Sequence, residues 1–130
     1  MKTIPLKGTV FSGKREGSKF IELLWVKKQI TGKLGFTPYA GTLNIRLAQE
    51  DRPKLKKALK KAKPIKIVPA DGYYSGRCFK AFLMDNLECF IVVPEVADYP
   101  EDIVEIIAPA NLREKLRLED GGAVVFKVLI

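Results

Sequence analysis

Strand-like runs, more than a helical period, set the rhythm of this chain. Segments 6–11, 20–24, 42–47, 65–68, 77–83, 87–93, 103–108 and 123–129 are rich in β-branched and aromatic residues and predict strands. Between them fall Ser12-Gly13, Asp71-Gly72, Asp85-Asn86 and Asp120-Gly121-Gly122, where a tight or left-handed backbone costs little. The step 84–87 reads as a hairpin. So many short strands joined by turns imply a barrel or a sandwich.

Three helices interrupt the strands. Segment 26–34 puts Val26, Ile30 and Leu34 on one face, with Thr31-Gly32 weakening its middle. Segment 53–62 starts with a proline in the first turn and aligns Leu55, Ala58, Leu59 and Ala62, which leaves its lysines on the opposite face. Segment 111–116 follows Pro109, with Leu112 and Leu116 inward and Arg113 turned away from them. No internal repeat, low-complexity tract or linker divides the sequence, so residues 1–130 read as a single β-rich domain.

Composition sharpens this by exclusion. Hydrophobic residues make up 47% and charged residues 29%, as in an ordinary globular chain. Cys78 and Cys89 lie in apolar stretches without a C-x-x-C spacing, and there is no histidine, so zinc, redox and Ser-His or Cys-His chemistry lose support. Carboxylates, a metal or positioning must carry any reaction. The first apolar run is broken too early for a signal peptide, and no window approaches a membrane span, which predicts a cytoplasmic protein without a membrane partner.

The net charge of +8 is local. Arg52, Lys54, Lys56, Lys57, Lys60, Lys61, Lys63 and Lys66 supply it with no acid among them, and the other 15 basic residues are balanced by 15 acidic ones. Such a run is most often a solvated face. Docking on a phosphate backbone is the alternative, but no aromatic residues are interleaved to stack on bases, which argues against nucleic acid as a partner.

Two motifs suggest a phosphate and metal site. Gly13-Lys14-Arg15-Glu16-Gly17-Ser18 is a glycine-bounded loop whose backbone N–H groups and two cations could hold an anion. It lacks the Lys-Ser or Lys-Thr pair of the G-x-x-x-x-G-K-[ST] phosphate loop. In Pro38-Tyr39-Ala40-Gly41-Thr42-Leu43-Asn44, the Thr42 hydroxyl and the Asn44 amide share one strand face, where both oxygens could reach a hard cation. Taken singly, the first is more often a hairpin connection and the second an edge strand.

Taken in order, the motifs carry more. Gly8-Thr9-Val10-Phe11-Ser12-Gly13, Glu16-Gly17, Leu34-Gly35-Phe36-Thr37-Pro38-Tyr39-Ala40-Gly41-Thr42-Leu43-Asn44, Tyr99-Pro100, Glu105-Ile106-Ile107-Ala108-Pro109 and the L-R-x-x-L-x-L-x-D-G phrase from Leu112 to Gly121 resemble the archaeal CTP-dependent riboflavin kinase family. The resemblance covers nearly the whole chain. G-F-x-P-Y-x-G-T-L-N is its specific part, and the closing phrase also occurs in other small barrels.

The resemblance implies a compact six-stranded β-barrel of the cradle-loop type and transfer of the CTP γ-phosphoryl group to riboflavin, giving FMN and CDP. It implies Mg2+ on Thr42 and Asn44. The nucleotide would lie along Gly13, Lys14, Arg15, Glu16, Gly17 and Ser18 and beside Ala110, Asn111, Leu112 and Arg113. The flavin would meet Glu105 and position 97, where the family's threonine is replaced by Ala97. Glu105 would orient the flavin or act as a base. A monomer is the expectation. The rivals are a nucleic-acid-binding barrel that uses the basic helix 52–66, and a flavin or nucleotide binder without turnover.

Overall fold

Among the described residues, alternation and tight turns produce seven strands: β1 (Thr3–Val10), β2 (Leu43–Leu47), β3 (Ile65–Ile67), β4 (Gly76–Leu83), β5 (Leu87–Pro94), β6 (Ile103–Ile107) and β7 (Ala123–Leu129). The computed structural model describes residues 2–13, 19, 21–70, 72 and 74–130. Helices α1 (Leu24–Leu34), α2 (Arg52–Lys61) and α3 (Leu112–Leu116) join them, and a single 3₁₀ turn, Gln49–Asp51, leads into α2.

All the strand pairs are antiparallel. They run in the order β3-β4-β5-β6-β2-β1-β7, and a further β4–β7 pairing closes six of them into a ring. The six-stranded expectation therefore describes the ring, with β3 added outside it. Ring closure works by a handover along β4. Its first half pairs with β3, Ile67 opposite Gly76, and its second half pairs with β7, Leu83 opposite Phe126.

One residue set fills the ring. Leu6, Val10, Ile45, Phe79, Leu83, Ile91, Val104, Ile106, Val124, Phe126 and Val128 are buried in one cluster, and α2 adds Leu55, Ala58 and Ala62 to it. The basic face of α2 stays in water, as its sequence predicts. A second cluster covers the outer face of β3, β4, β5 and β6. There Val26 and Ile30 of α1, with Ile21, meet Ile67, Cys78, Val92 and Ile107. Coverage on both faces explains why β6 is buried at successive positions, Glu105 among them, rather than at alternate ones.

Segment 20–24 does not form the expected strand. Position 20 lies outside the described residues, Ile21 and Glu22 are helical, and α1 already begins at Leu24. Its apolar residues serve the outer cluster from a helical backbone, since a short apolar run has no period that separates strand from helix. The hairpin at 84–87 forms, with Met84 and Asn86 at positive φ.

Two polar attachments hold the scaffold. Asp51 is buried and accepts the Lys7 backbone N–H at 2.9 Å, which fixes the start of α2 to β1. On the other side of the sheet, the Gln29 amide pairs with both backbone groups of Val68, at 2.7 and 2.8 Å, and Lys33 Nζ donates to Lys66 O at 2.6 Å. Both cysteines are free and buried, and burial pushes their thiols up to about 12, so neither supplies a thiolate nucleophile at neutral pH.

Candidate active site

Register places the first site residues. Asn44 on β2 lies opposite Glu105 on β6, and Leu43 lies opposite Ile106. Leu43 and Ile106 belong to the ring interior, so alternation sends Asn44 and Glu105 to the outer face. Thr42 follows the same alternation, and its Oγ1 donates to Glu105 Oε1 at 3.0 Å. The Tyr99 phenol donates to the other carboxylate oxygen, Oε2, at 2.5 Å. Glu105 is only 3% exposed, and a carboxylate buried this deeply needs such donors. Burial, the Glu105 charge and this hydrogen bond push the Tyr99 phenol far above its usual range, so it stays protonated and donating.

Gly13, the first residue of the glycine-bounded motif, follows β1 and packs against Asn44. A Cβ on Gly13 would stand 2.9 Å from Asn44 Cγ and Oδ1, so any larger residue there would have to push the Asn44 amide from its place. Phe11 N–H donates to the Asn44 carbonyl at 3.1 Å. Lys14, Arg15, Glu16, Gly17 and Ser18 lie outside the described residues, and of this motif only Gly13 is described.

This root of the motif is braced from the far end of the chain. Arg113 Nη2 donates to Phe11 O at 2.9 Å and to Asp120 Oδ1 at 2.6 Å, and Ser12 Oγ donates to Asp120 Oδ2 at 2.8 Å. Gly121, at φ 86°, makes the turn that lets its N–H reach Val10 O at 2.7 Å. The Arg113 and Ser12 hydrogen bonds hold the Asp120 carboxyl below its usual range.

Two cavities flank Glu105. The smaller, about 160 Å³, is lined by Tyr39, Gly41, Thr42, Ala110, Asn111 and Arg113, among others, so it joins Thr42 of the predicted metal pair to the predicted nucleotide positions 110–113. Asn111 stitches its walls together. Its Oδ1 caps α3 by accepting from Glu114 N–H at 3.3 Å, and its Nδ2 donates to the Tyr39 hydroxyl at 3.1 Å. The larger cleft, about 310 Å³, lies between α2 and the β5–β6 connection and includes Leu55, Lys56, Leu59, Val93, Val96 and Tyr99 in its lining. Ala97 is exposed on that connection. Thr42 faces one cavity and Tyr99 the other, and Glu105 joins them.

Among the described residues no group of three His, Cys, Asp or Glu side chains could hold a metal ion. Thr42 and Asn44 offer neutral oxygens instead. Such a set suits magnesium that keeps its waters and takes its other oxygens from phosphate. Sequence reasoning missed the hydrogen bond from Tyr99 to Glu105, although the Tyr99-Pro100 step was visible as a motif. It also missed the clasp between Arg113 and Phe11, residues 102 positions apart.

Comparison with known proteins identifies the chain's relatives. The family model CTP-dep_RFKase, described as domain of unknown function DUF120, matches residues 10–128. A riboflavin kinase of Archaeoglobus fulgidus is 40% identical over 98% of this chain and 56% of its own length. One from Methanoregula boonei is 43% identical over 95% of this chain and 56% of its own length. A third, from Pyrobaculum aerophilum, is 37% identical over 98% of this chain and 62% of its own length. The chain thus spans a little over half the length of these curated relatives.

Proposed function

The chain belongs to the CTP-dependent riboflavin kinase family, and from that premise we propose that it transfers the γ-phosphoryl group of CTP to the 5′-hydroxyl of riboflavin, giving FMN and CDP. The observation that carries the reading is the buried Glu105 carboxylate, with Thr42 and Tyr99 on its two oxygens, Asn44 in register opposite, and the root of the glycine-bounded loop against Asn44.

Phosphoryl transfer asks a protein for in-line positioning and charge neutralisation more than for covalent chemistry, which suits a chain without histidine. The smaller cavity takes the nucleotide, with Ala110 to Arg113 along the base and Gly13 to Ser18 over the phosphates. The β5–β6 connection and the apolar larger cleft are left for the flavin ring. Magnesium held through Thr42 and Asn44 would neutralise phosphate charge. Glu105, fixed between the cavities, orients the acceptor hydroxyl. All these residues come from one chain, so the proposed site needs no second copy, in keeping with a monomer. None of the described helices is long and apolar enough to cross a membrane, and a cytoplasmic location is part of this proposal.

The test is purified protein with riboflavin and magnesium, given CTP, ATP, GTP or UTP in parallel, with FMN and the nucleoside diphosphate separated by chromatography. FMN formed chiefly from CTP is the expected result. No FMN with any nucleotide would sink the proposal and bring forward salt-sensitive nucleic-acid binding on the exposed lysines of α2.

Arg113 makes a separate prediction. Arg113→Ala removes the clasp on Phe11 O and Asp120, so the loop root loses its brace while Thr42 and Glu105 keep theirs. The KM for CTP should rise about tenfold, the loss of one or two charge-assisted hydrogen bonds, with the KM for riboflavin within about twofold. Equal increases in both constants would show that the clasp does not act through the nucleotide side.

A further inference from the structure

Hydrogen-bond direction on one wall of the smaller cavity is set by α3. The Asn111 side chain caps that helix, its Oδ1 accepting the Glu114 N–H at 3.3 Å. This turns Nδ2 toward Tyr39, where it donates to the hydroxyl oxygen at 3.1 Å. The reverse orientation of the amide would set N–H against N–H at the helix start. A tyrosine hydroxyl has one proton to give and an oxygen that receives. Here the oxygen is engaged, and among the described residues nothing takes the proton. The relay from helix to amide to phenol therefore leaves Tyr39 as a donor.

Tyr39 is also held where a ligand meets it. Its N–H donates to Ala108 O at 2.9 Å and its carbonyl accepts the Gly41 N–H at 2.8 Å, so its backbone is fixed on both sides. It lines the cavity with Ala110, Asn111 and Arg113, yet it is 44% exposed. Cytosine and uracil differ in the sense of one hydrogen bond at the ring nitrogen N3, which is an acceptor in cytosine and carries a proton in uracil. We propose that Tyr39 is a specificity-determining residue: its hydroxyl donates to N3 of a cytosine base and meets an opposing N–H in uracil, so the Asn111 cap sets which pyrimidine nucleotide is bound. That this cavity takes the nucleotide base rests on the kinase reading above.

The experiment is calorimetric titration of CDP and of UDP into the protein, both with magnesium chloride, run beside FMN formation from CTP. Wild type should bind CDP more tightly than UDP. Tyr39→Phe keeps the ring and deletes the donor, so CDP should weaken about tenfold while UDP changes by less than about twofold. A role confined to shaping the cavity would weaken both alike. Asn111→Asp is the sharper variant. Its carboxylate still caps α3, but the oxygen facing Tyr39 accepts instead of donating, which takes the phenol proton and turns the phenol oxygen into an acceptor toward the base. The preference for CDP should then fall by more than about tenfold, with UDP bound at least as tightly as by wild type.

A CDP-to-UDP ratio within twofold of wild type in Tyr39→Phe, equal losses of both nucleotides in either variant, or a wild type that does not favour CDP would each overturn the proposal. Should thermal melting show one variant unfolded, the other decides by the same ratio. Wild type that shows the preference and forms no FMN would remove the kinase reading alone. FMN formed from CTP, with the ratio unmoved in the variants, would remove the Tyr39 assignment alone.

Discussion

Thr42→Ala should reduce FMN formation by about 100-fold or more, the usual loss when one preorganised polar contact to a reacting phosphate is removed. The substitution deletes the hydroxyl that meets Glu105 Oε1 at 3.0 Å and that lines the nucleotide cavity. Asn44 remains, but a single neutral oxygen is a poor anchor for magnesium. CDP affinity measured without magnesium should hardly change, because Ala110 to Arg113 and the loop root are untouched. Thermal stability should fall by only about 1 kcal/mol, since Thr42 is half-buried and water can reach the vacated site. Turnover within threefold of wild type would exclude Thr42 from the chemistry. A protein that binds both ligands and never turned over would have no activity for this substitution to remove.

Gly8→Ala is expected to be the most damaging small substitution to stability, by about 2–3 kcal/mol in the denaturant midpoint multiplied by the slope. Gly8 sits in β1 opposite Leu47 of β2 and Val124 of β7. A Cβ there would lie 2.4 Å from Arg46 O and 2.6 Å from Ile45 Cγ2. The first obstacle is backbone and cannot step aside as a side-chain tip can. The strain must instead spread β1 from β2 inside a closed ring. Gly32, whose added Cβ meets nothing within 4 Å, is the matched control, and Gly32→Ala should leave the midpoint unchanged or raise it. A Gly8→Ala loss below about 0.5 kcal/mol would show that the ring breathes more than close packing implies.

Legibility in the sequence followed the physics of each element. β7 appears over the predicted residues, Ala123–Leu129, because its alternation is set by one packed face and a glycine turn before it. The leucine and alanine stripe of α2 was equally plain. Segment 20–24 was not, because five apolar-rich residues carry no decisive period and the outer cluster that recruits Ile21 is a tertiary fact. Closure of the ring was also hidden: nothing local tells β4 to change partner halfway.

The candidate site was readable only in part. Thr42 and Asn44 were legible as two oxygens on one strand face, Glu105 came from the family resemblance, and the structure brings them together through strand register and the Thr42–Glu105 hydrogen bond. Gly13 looked like a turn glycine, whereas its neighbour across space, Asn44, is what a side chain there would displace. Arg113 read as a helix-surface cation on a short helix, and its grip on Phe11 joins opposite ends of the chain. Contacts of that kind follow from the closed barrel rather than from any local pattern.

The amide of Gln29 and the ammonium of Lys33, set against Val68 and Lys66, have a consequence for crowded solution. β3 is the strand outside the ring, and the open rim of such a strand is where a second molecule could add its own strand. Here Val68 N–H and C=O are already taken by an amide that mimics a peptide group, and a cation stands on Lys66 O. An arriving chain would have to displace both before forming its first rung. α1 therefore works as a built-in terminator of sheet growth, and the protein resists polymerisation by refusing the template rather than by repelling the visitor.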